Sequence, residues 1–499
     1  MSTRRLAIAA GLVALYVLAV GSLAARAQLW NDELYTWYFA QLPTMGDVWD
    51  ELSTGVEQLP PAYYVVTRAS LAVFGDNEIA LRIPSLVGFL LACSCLFAVV
   101  ARRTNAWYGV VGALIPLASG AGAYAWEARP YALVLGLAAA AVLSHQLRAD
   151  GIRSGLAVVG LAVALAGATA VHYYGVLVVI PIVLAEAVRV SVRRQLDWAV
   201  VGAFFAPLLP LAVSIPLLRE ARQYRGAFWT EFDLGSAPEF FVFLLRAGVF
   251  SPSRIPTWLG LAFSAAVIGG SLVVLLRRPR TAQVEVAAAI GFLLLPLVGV
   301  LVGEIATGAY VERYVLSAVI APALLVPLAL HRLDGGPRAA VATAGVLALW
   351  FAVLVQYWHR DIGVDLDRRE RLVAFVQEHA PAGPDVAVAH PHDYLELAHH
   401  APREVAERLV RLSDPERSLR YTGSRSTEDG LVVLADFAPL RVVPYDEQPA
   451  PLFLLRTVRG EADDWIDRAL TDDGAEQRVV ARSEADGFTL VRIVPATTR

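Results

Sequence analysis

What most constrains this chain is the recurrence of long apolar runs. About eleven stretches approach the ~20 residues that an α-helix needs to cross a bilayer. They run over residues 6–25, 82–101, 106–123, 130–147, 155–171, 174–190, 198–218, 256–276, 284–303, 314–331 and 338–357. The run 60–75 is shorter and carries Arg68, so it is expected at the interface rather than across the bilayer. With 57% hydrophobic residues and a mean hydropathy of +0.53, the expected fold is a polytopic α-helical membrane protein. Composition excludes a soluble enzyme. Arg4 and Arg5 precede a first run long enough to stay as an anchor, so no cleavable signal peptide is expected.

The sequence contains no lysine, so arginine and histidine supply every basic side chain. Arginines gather at alternate ends of the runs: Arg4/Arg5, Arg102/Arg103, Arg148/Arg153, Arg189/Arg193/Arg194, Arg277/Arg278/Arg280 and Arg332/Arg338. Cytoplasmic loops carry the excess of basic residues, which puts the N-terminus inside. An odd number of spans then leaves the C-terminal segment outside. There, 26 of the 46 acidic residues follow Arg360, and no further run is long enough to cross. The expectation is a membrane domain over 1–358 and an extracytoplasmic α/β domain over 359–499. Within the latter, a helix is expected over Asp361–His379 and another over Ala462–Leu470. Strands are expected at Val386–Ala389, Leu431–Leu434, Leu452–Leu455, Val479–Ala481 and Phe488–Ile493.

Chemistry collects in the outer loops. Trp30-Asn31-Asp32-Glu33-Leu34-Tyr35-Thr36-Trp37-Tyr38 sets an acidic pair among four aromatic rings directly after the first run. Such rings favour the headgroup level, and a carboxylate there, partly out of bulk water, is placed to take a proton from a substrate hydroxyl. An interfacial anchor is the plainer reading of the same stretch. Arg129 follows Glu127 at another outer end, between Trp126 and Tyr131. A guanidinium is permanently charged and binds two oxygens at once, which suits a lipid-linked phosphate. Arg82 and Arg313 share that reading, against snorkelling for Arg82 and pairing with Glu312 for Arg313. His172 and Tyr173 line a site or anchor the interface. Glu57, with Tyr63 in the same loop, orients an acceptor or holds a divalent cation.

Several classes find no support. Neither a glycine-rich phosphate loop nor a nucleophile elbow is present. Cys93 and Cys95 lie within an apolar run as packing residues. His390, His392, His399 and His400 lack the spacing of a closed zinc site. Basic patches with interleaved aromatics for nucleic acid are not evident.

In order along the chain, Asp32-Glu33, Pro60-Pro61-Ala62-Tyr63-Tyr64, Arg82-Ile83-Pro84-Ser85, Glu127-Ala128-Arg129-Pro130-Tyr131, His172-Tyr173-Tyr174 and Arg313-Tyr314 form a set. That set resembles the bacterial relatives of protein O-mannosyltransferases, the family 39 branch of the GT-C glycosyltransferases. The resemblance covers about the first two-thirds of the chain. It implies a GT-C fold with Asp32 as catalytic base and Glu33 beside it. Arg129, with Arg82 and Arg313, would hold the phosphate of a polyprenyl-phosphate sugar donor. Glu57, Tyr63, Glu127, Tyr131, His172 and Tyr173 would line the substrate pocket. Two departures matter. Leu59 stands where many members have histidine before the double proline, which argues against a metal at Glu57. The absence of lysine argues against the aminoarabinose-type subgroup. The implied reaction moves a sugar to an acceptor hydroxyl (protein, lipid or polysaccharide) outside the cell membrane, with inversion. A lipid-linked sugar transporter and a non-catalytic component of envelope assembly are the alternatives.

Overall fold

The computed structural model describes residues 3–246, 256–277, 282–448, 451–457 and 465–494. Arg278, Arg280 and residues 462–464, which figure in the sequence expectations, lie outside these. Two compact units emerge. One comprises residues 1–27, 59–216 and 232–359; the other comprises 28–58, 217–231 and 360–499.

The first unit is helical. Nine described helices are long and apolar enough to cross a membrane, and a bent pair, Trp198–Val213 with Ile215–Tyr224, makes a tenth if counted as one span. The protein is thus a multi-pass membrane protein, and ten of the eleven expected runs correspond to these elements. The exception is 106–123. There the helix covers Ala106–Leu117 only and passes into a 3-10 turn at Gly120–Ala125. Residues 60–75 form the helix Pro61–Phe74, with proline in its first turn where a missing N–H costs nothing. At 14 residues it is too short to span.

Small residues set the closest crossings. A Cβ on Gly136 would lie 2.2 Å from the Gly88 carbonyl oxygen, so the helices Tyr131–Ala149 and Glu78–Arg103 touch backbone to backbone. Gly291 meets Pro181 in the same way. This is how helices pack when lipid removes the hydrophobic drive between them. Leu18, Leu156 and Leu209 remain largely exposed, as a surface facing acyl chains requires. At the arginine-rich helix ends, Arg102 and Arg103 pair with Asp150 at 2.7 and 3.0 Å, and Arg148 pairs with Asp197 at 2.6 Å.

The second unit is built on a six-stranded sheet: β1 Val386–Val388, β2 Leu409–Ser413, β3 Val442–Pro444, β4 Leu452–Arg456, β5 Glu476–Ser483 and β6 Phe488–Val494. The order is β3-β2-β1-β4-β6-β5. Strands β1 to β4 pair in parallel, while β6 runs antiparallel to β4 and β5. Val410, Leu412, Leu454, Trp465, Ile466 and Val491 lie in its core. The strand expected at Leu431–Leu434 is instead part of the helix Ser426–Ala435. Glu428 and Asp429 sit in its first turn, where carboxylates favour the helix dipole. Leu431 and Leu434 are buried while Val432 is exposed, a helical rather than an alternating pattern. Strand β2 carries no plain apolar signal, because Arg411 interrupts its run. That arginine is fully buried, paired with Glu428 and bound to the carbonyls of Val388 and Ala389.

Residues 28–58 are part of this unit. They form the helices Asn31–Gln41 and Met45–Leu52. The Tyr38 hydroxyl lies 2.9 Å from His399 Nδ1, His400 Nε2 donates to the Leu29 carbonyl at 2.8 Å, and Arg369 donates to Gln28. Phe39 meets Phe437 edge-on at 5.3 Å. His399 and His400, two of the four histidines weighed as metal ligands, are therefore engaged in holding this segment. Within 217–231, Gln223 donates to the Thr54 carbonyl at 2.7 Å.

Candidate active site

The candidate residues fall into two sets, one in each unit. In the membrane unit, the tight turn Glu127-Ala128-Arg129 closes with the Arg129 N–H donating to the Glu127 carbonyl at 2.7 Å. Two hydroxyls fix its far side. Tyr63 donates to the Ala128 carbonyl at 2.7 Å, and Ser85 donates to the Arg129 carbonyl at 2.9 Å. Both bonds are buried, where an unmade one is costly. The double-proline and Arg82-Ile83-Pro84-Ser85 motifs thus converge on the arginine turn. Tyr63, expected in the substrate pocket, holds this turn in place.

Around the turn, Arg129, Arg313, Glu127, Tyr131 and His172 are all nearly buried. The His172 ring lies 5.5 Å from Tyr131 and 5.1 Å from Tyr314. The Arg313 guanidinium sits over the Tyr131 ring at 5.6 Å, a cation–π contact that orients a buried charge. Tyr174 also meets Tyr314 at 5.1 Å and anchors through its hydroxyl to the Ala309 carbonyl at 2.7 Å. Tyr173, by contrast, is only half-buried.

His172 lies between two spans, and its electrostatics define the site. Burial first, then the fields of Arg129 and Arg313, lower its pKa to about 3. Its Nδ1 accepts the Tyr174 N–H at 3.3 Å, which leaves the proton of the neutral ring on Nε2. Two guanidiniums and a neutral imidazole donor make a site for an anion. Arg82 is occupied differently. It is buried, and its Nη1 donates to the carbonyls of Ala24 and Ala27 at 2.9 and 2.6 Å, capping the end of the first helix. Its snorkelling reading does not hold.

In the second unit, Asp32 and Glu33 occupy the first turn of the helix Asn31–Gln41, and they differ. Glu33 is buried and accepts the Trp30 N–H at 3.3 Å, the reciprocal half of a capping box. Asp32 is half-buried. Glu57 is buried as well. Glu57 and Asp32, after burial, both raise the pKa of the Tyr35 hydroxyl, so these carboxylates gather round one phenol. Among the described residues no group of three or more His, Cys, Asp or Glu is arranged to hold a metal ion.

Ser85, Tyr174 and Tyr314 stand in the motifs the sequence set out, but it gave them no individual role. Each stands within three positions of a residue given a role, but nothing local marks a hydroxyl or ring as part of a distant cluster.

Residues 58–218 match the sequence model of the dolichyl-phosphate-mannose-protein mannosyltransferase family. The matched segment takes in Tyr63, Arg82, Glu127, Arg129, Tyr131, His172 and Tyr173, and leaves out Asp32, Glu33, Glu57 and Arg313. No curated protein sequence is significantly similar to the chain. Among solved structures, ArnT from Cupriavidus metallidurans in the apo state aligns with a TM-score of 0.55 at 14% identity, over 97% of this chain and 98% of that one. The same protein bound to undecaprenyl phosphate aligns with a TM-score of 0.58 at 15% identity, over 97% and 98%. The chain therefore has the GT-C fold with an additional sheet domain. Within that fold, residues 58–218 are similar to the mannosyltransferase family's sequence model.

Proposed function

We propose that this GT-C chain transfers a sugar from a polyprenyl-phosphate-linked donor to an acceptor hydroxyl on the extracytoplasmic face of the cell membrane. The observation that carries this reading is the pair Arg129 and Arg313 acting on a neutral, buried His172. Such a pair suits a lipid phosphate, and Arg129 and His172 lie in the segment that matches the mannosyltransferase family. That ArnT of the same fold is described as bound to undecaprenyl phosphate supports the choice of donor. The arginine-rich ends of the spans support the choice of face.

In the proposed reaction the donor phosphate rests on Arg129 and Arg313, with His172 Nε2–H as a third donor. Asp32 takes the proton from the acceptor hydroxyl while its oxygen forms a bond to the anomeric carbon. The bond from that carbon to the phosphate oxygen breaks on the opposite side, so configuration inverts. The electron pair leaves with the prenyl phosphate, whose growing charge the guanidiniums stabilise where water is scarce. Asp32 is favoured over Glu33 because Glu33 is committed to its helix N-terminus. Glu57 and Tyr131 would line the acceptor and sugar.

The test is transfer of labelled sugar from polyprenyl-phosphate donors by the purified full chain. Asp32→Asn is expected to lower the rate by about a hundredfold or more, with donor binding retained. An Asp32→Asn protein with wild-type turnover would move the base elsewhere. No transfer by wild type over a broad donor set would overturn the transferase reading.

A further inference from the structure

Away from the arginine turn, the membrane unit contains a cavity of about 390 Å³. It lies between the helices Thr3–Arg26, Glu78–Arg103 and Tyr131–Ala149. Its walls are apolar along most of their length, through residues such as Leu12, Leu90, Phe97 and Leu147. Tyr16 marks one end, held by its hydroxyl to the Leu86 carbonyl at 2.8 Å and stacked on Phe89. Two cations, Arg5 and Arg102, mark the other. Arg102 spends Nη2 on Asp150 at 2.7 Å, but its Nε is buried and has no hydrogen-bond partner among the described residues.

We propose that this groove binds one anionic glycerophospholipid, its acyl chain along the trough and its phosphate at Arg5 and Arg102. Three observations converge. From Leu90 to Arg102 the groove follows a helix for roughly 18 Å, at about 1.5 Å per residue. That is close to the ~15 Å depth of a single leaflet's hydrocarbon. The wall is apolar where an acyl chain would lie and cationic where a headgroup would lie. The Arg102 side chain keeps 27% of its surface exposed, so a headgroup oxygen can reach its guanidinium. Asp150 is shared with Arg103, so a headgroup can engage Arg102 without leaving that carboxylate unpaired. The site is separate from the proposed donor site, and its occupant belongs to the arginine-rich end of the spans.

The experiment is native mass spectrometry of the full chain released from nonionic detergent after incubation with phosphatidylglycerol or phosphatidylcholine of matched chains. Wild type is expected to retain one phosphatidylglycerol in preference to phosphatidylcholine. The double variant Arg5→Gln/Arg102→Gln should lose that preference, by roughly fivefold for each arginine. Ser94→Trp, at an exposed position on the groove wall, should block both lipids while leaving the helix core intact. Equal retention of the two lipids by wild type overturns the proposal. So does phosphatidylglycerol retention that neither variant reduces. Displacement of phosphatidylglycerol by equimolar undecaprenyl phosphate overturns the assignment to a phospholipid.

Discussion

Replacing Arg313 by methionine tests the anion site most directly. The substitution keeps an apolar stem over the Tyr131 ring, where the guanidinium now sits at 5.6 Å, and removes the charge with its N–H donors. A hydrogen bond from a charged donor contributes about 1.5–3 kcal/mol net, and 1.4 kcal/mol is tenfold in affinity. Losing one of two guanidiniums should therefore weaken binding of a lipid phosphate by about ten- to a hundredfold. Two features place the effect at the lower end. Arg129 remains, and removing Arg313 relieves repulsion between like charges that both bear on His172. The imidazole does not compensate, because burial is the larger cause of its lowered pKa and persists in the variant. The assay is titration of the purified protein in nonionic detergent with undecaprenyl phosphate, at low and moderate salt. The variant should lose about tenfold in affinity. Binding within twofold of wild type refutes the assignment of Arg313 to the phosphate.

Tyr63→Phe removes the donor to the buried Ala128 carbonyl and should slow transfer about tenfold through a looser arginine turn; unchanged turnover would leave Tyr63 a packing residue. Gly136→Ala puts a methyl 2.2 Å from the Gly88 carbonyl oxygen and should cost about 1–3 kcal/mol as overpacking, read as a lower melting temperature in detergent. A wild-type melt for this variant would contradict the backbone contact. The pKa of His399 is lowered to about 4, by burial and then by Arg369. The unfolded state, with a pKa near 6.5, then binds more protons as pH falls, so stability present above 6.5 declines by roughly 1.4 kcal/mol per pH unit toward the folded value. Comparing melts of wild type and His399→Phe at pH 7.5 and pH 5 checks this, and equal acid sensitivity in the two proteins speaks against it.

The sequence by itself determined the class of fold and the location of most spans. A bilayer demands about twenty apolar residues per crossing, and that requirement is local, so hydropathy reads it directly. Adjacent residues also carried the acidic pair Asp32-Glu33 and the Arg129 turn. Tertiary structure decided the rest, because burial and partnership are not local. Arg82, Arg129 and Arg313 are alike in a sequence, yet Arg82 spends its charge on the carbonyls of Ala24 and Ala27, while the other two surround His172. Asp32 and Glu33 are neighbours, yet one caps a helix and the other stands half-buried. Leu431–Leu434 is apolar enough for a strand, but the acids ahead of it and a buried face three residues apart make it helix. The packing of 28–58 with residues 360–499 rests on single contacts such as Tyr38 to His399 and Leu29 to His400. These join residues more than 350 positions apart, a separation across which no local pattern carries information.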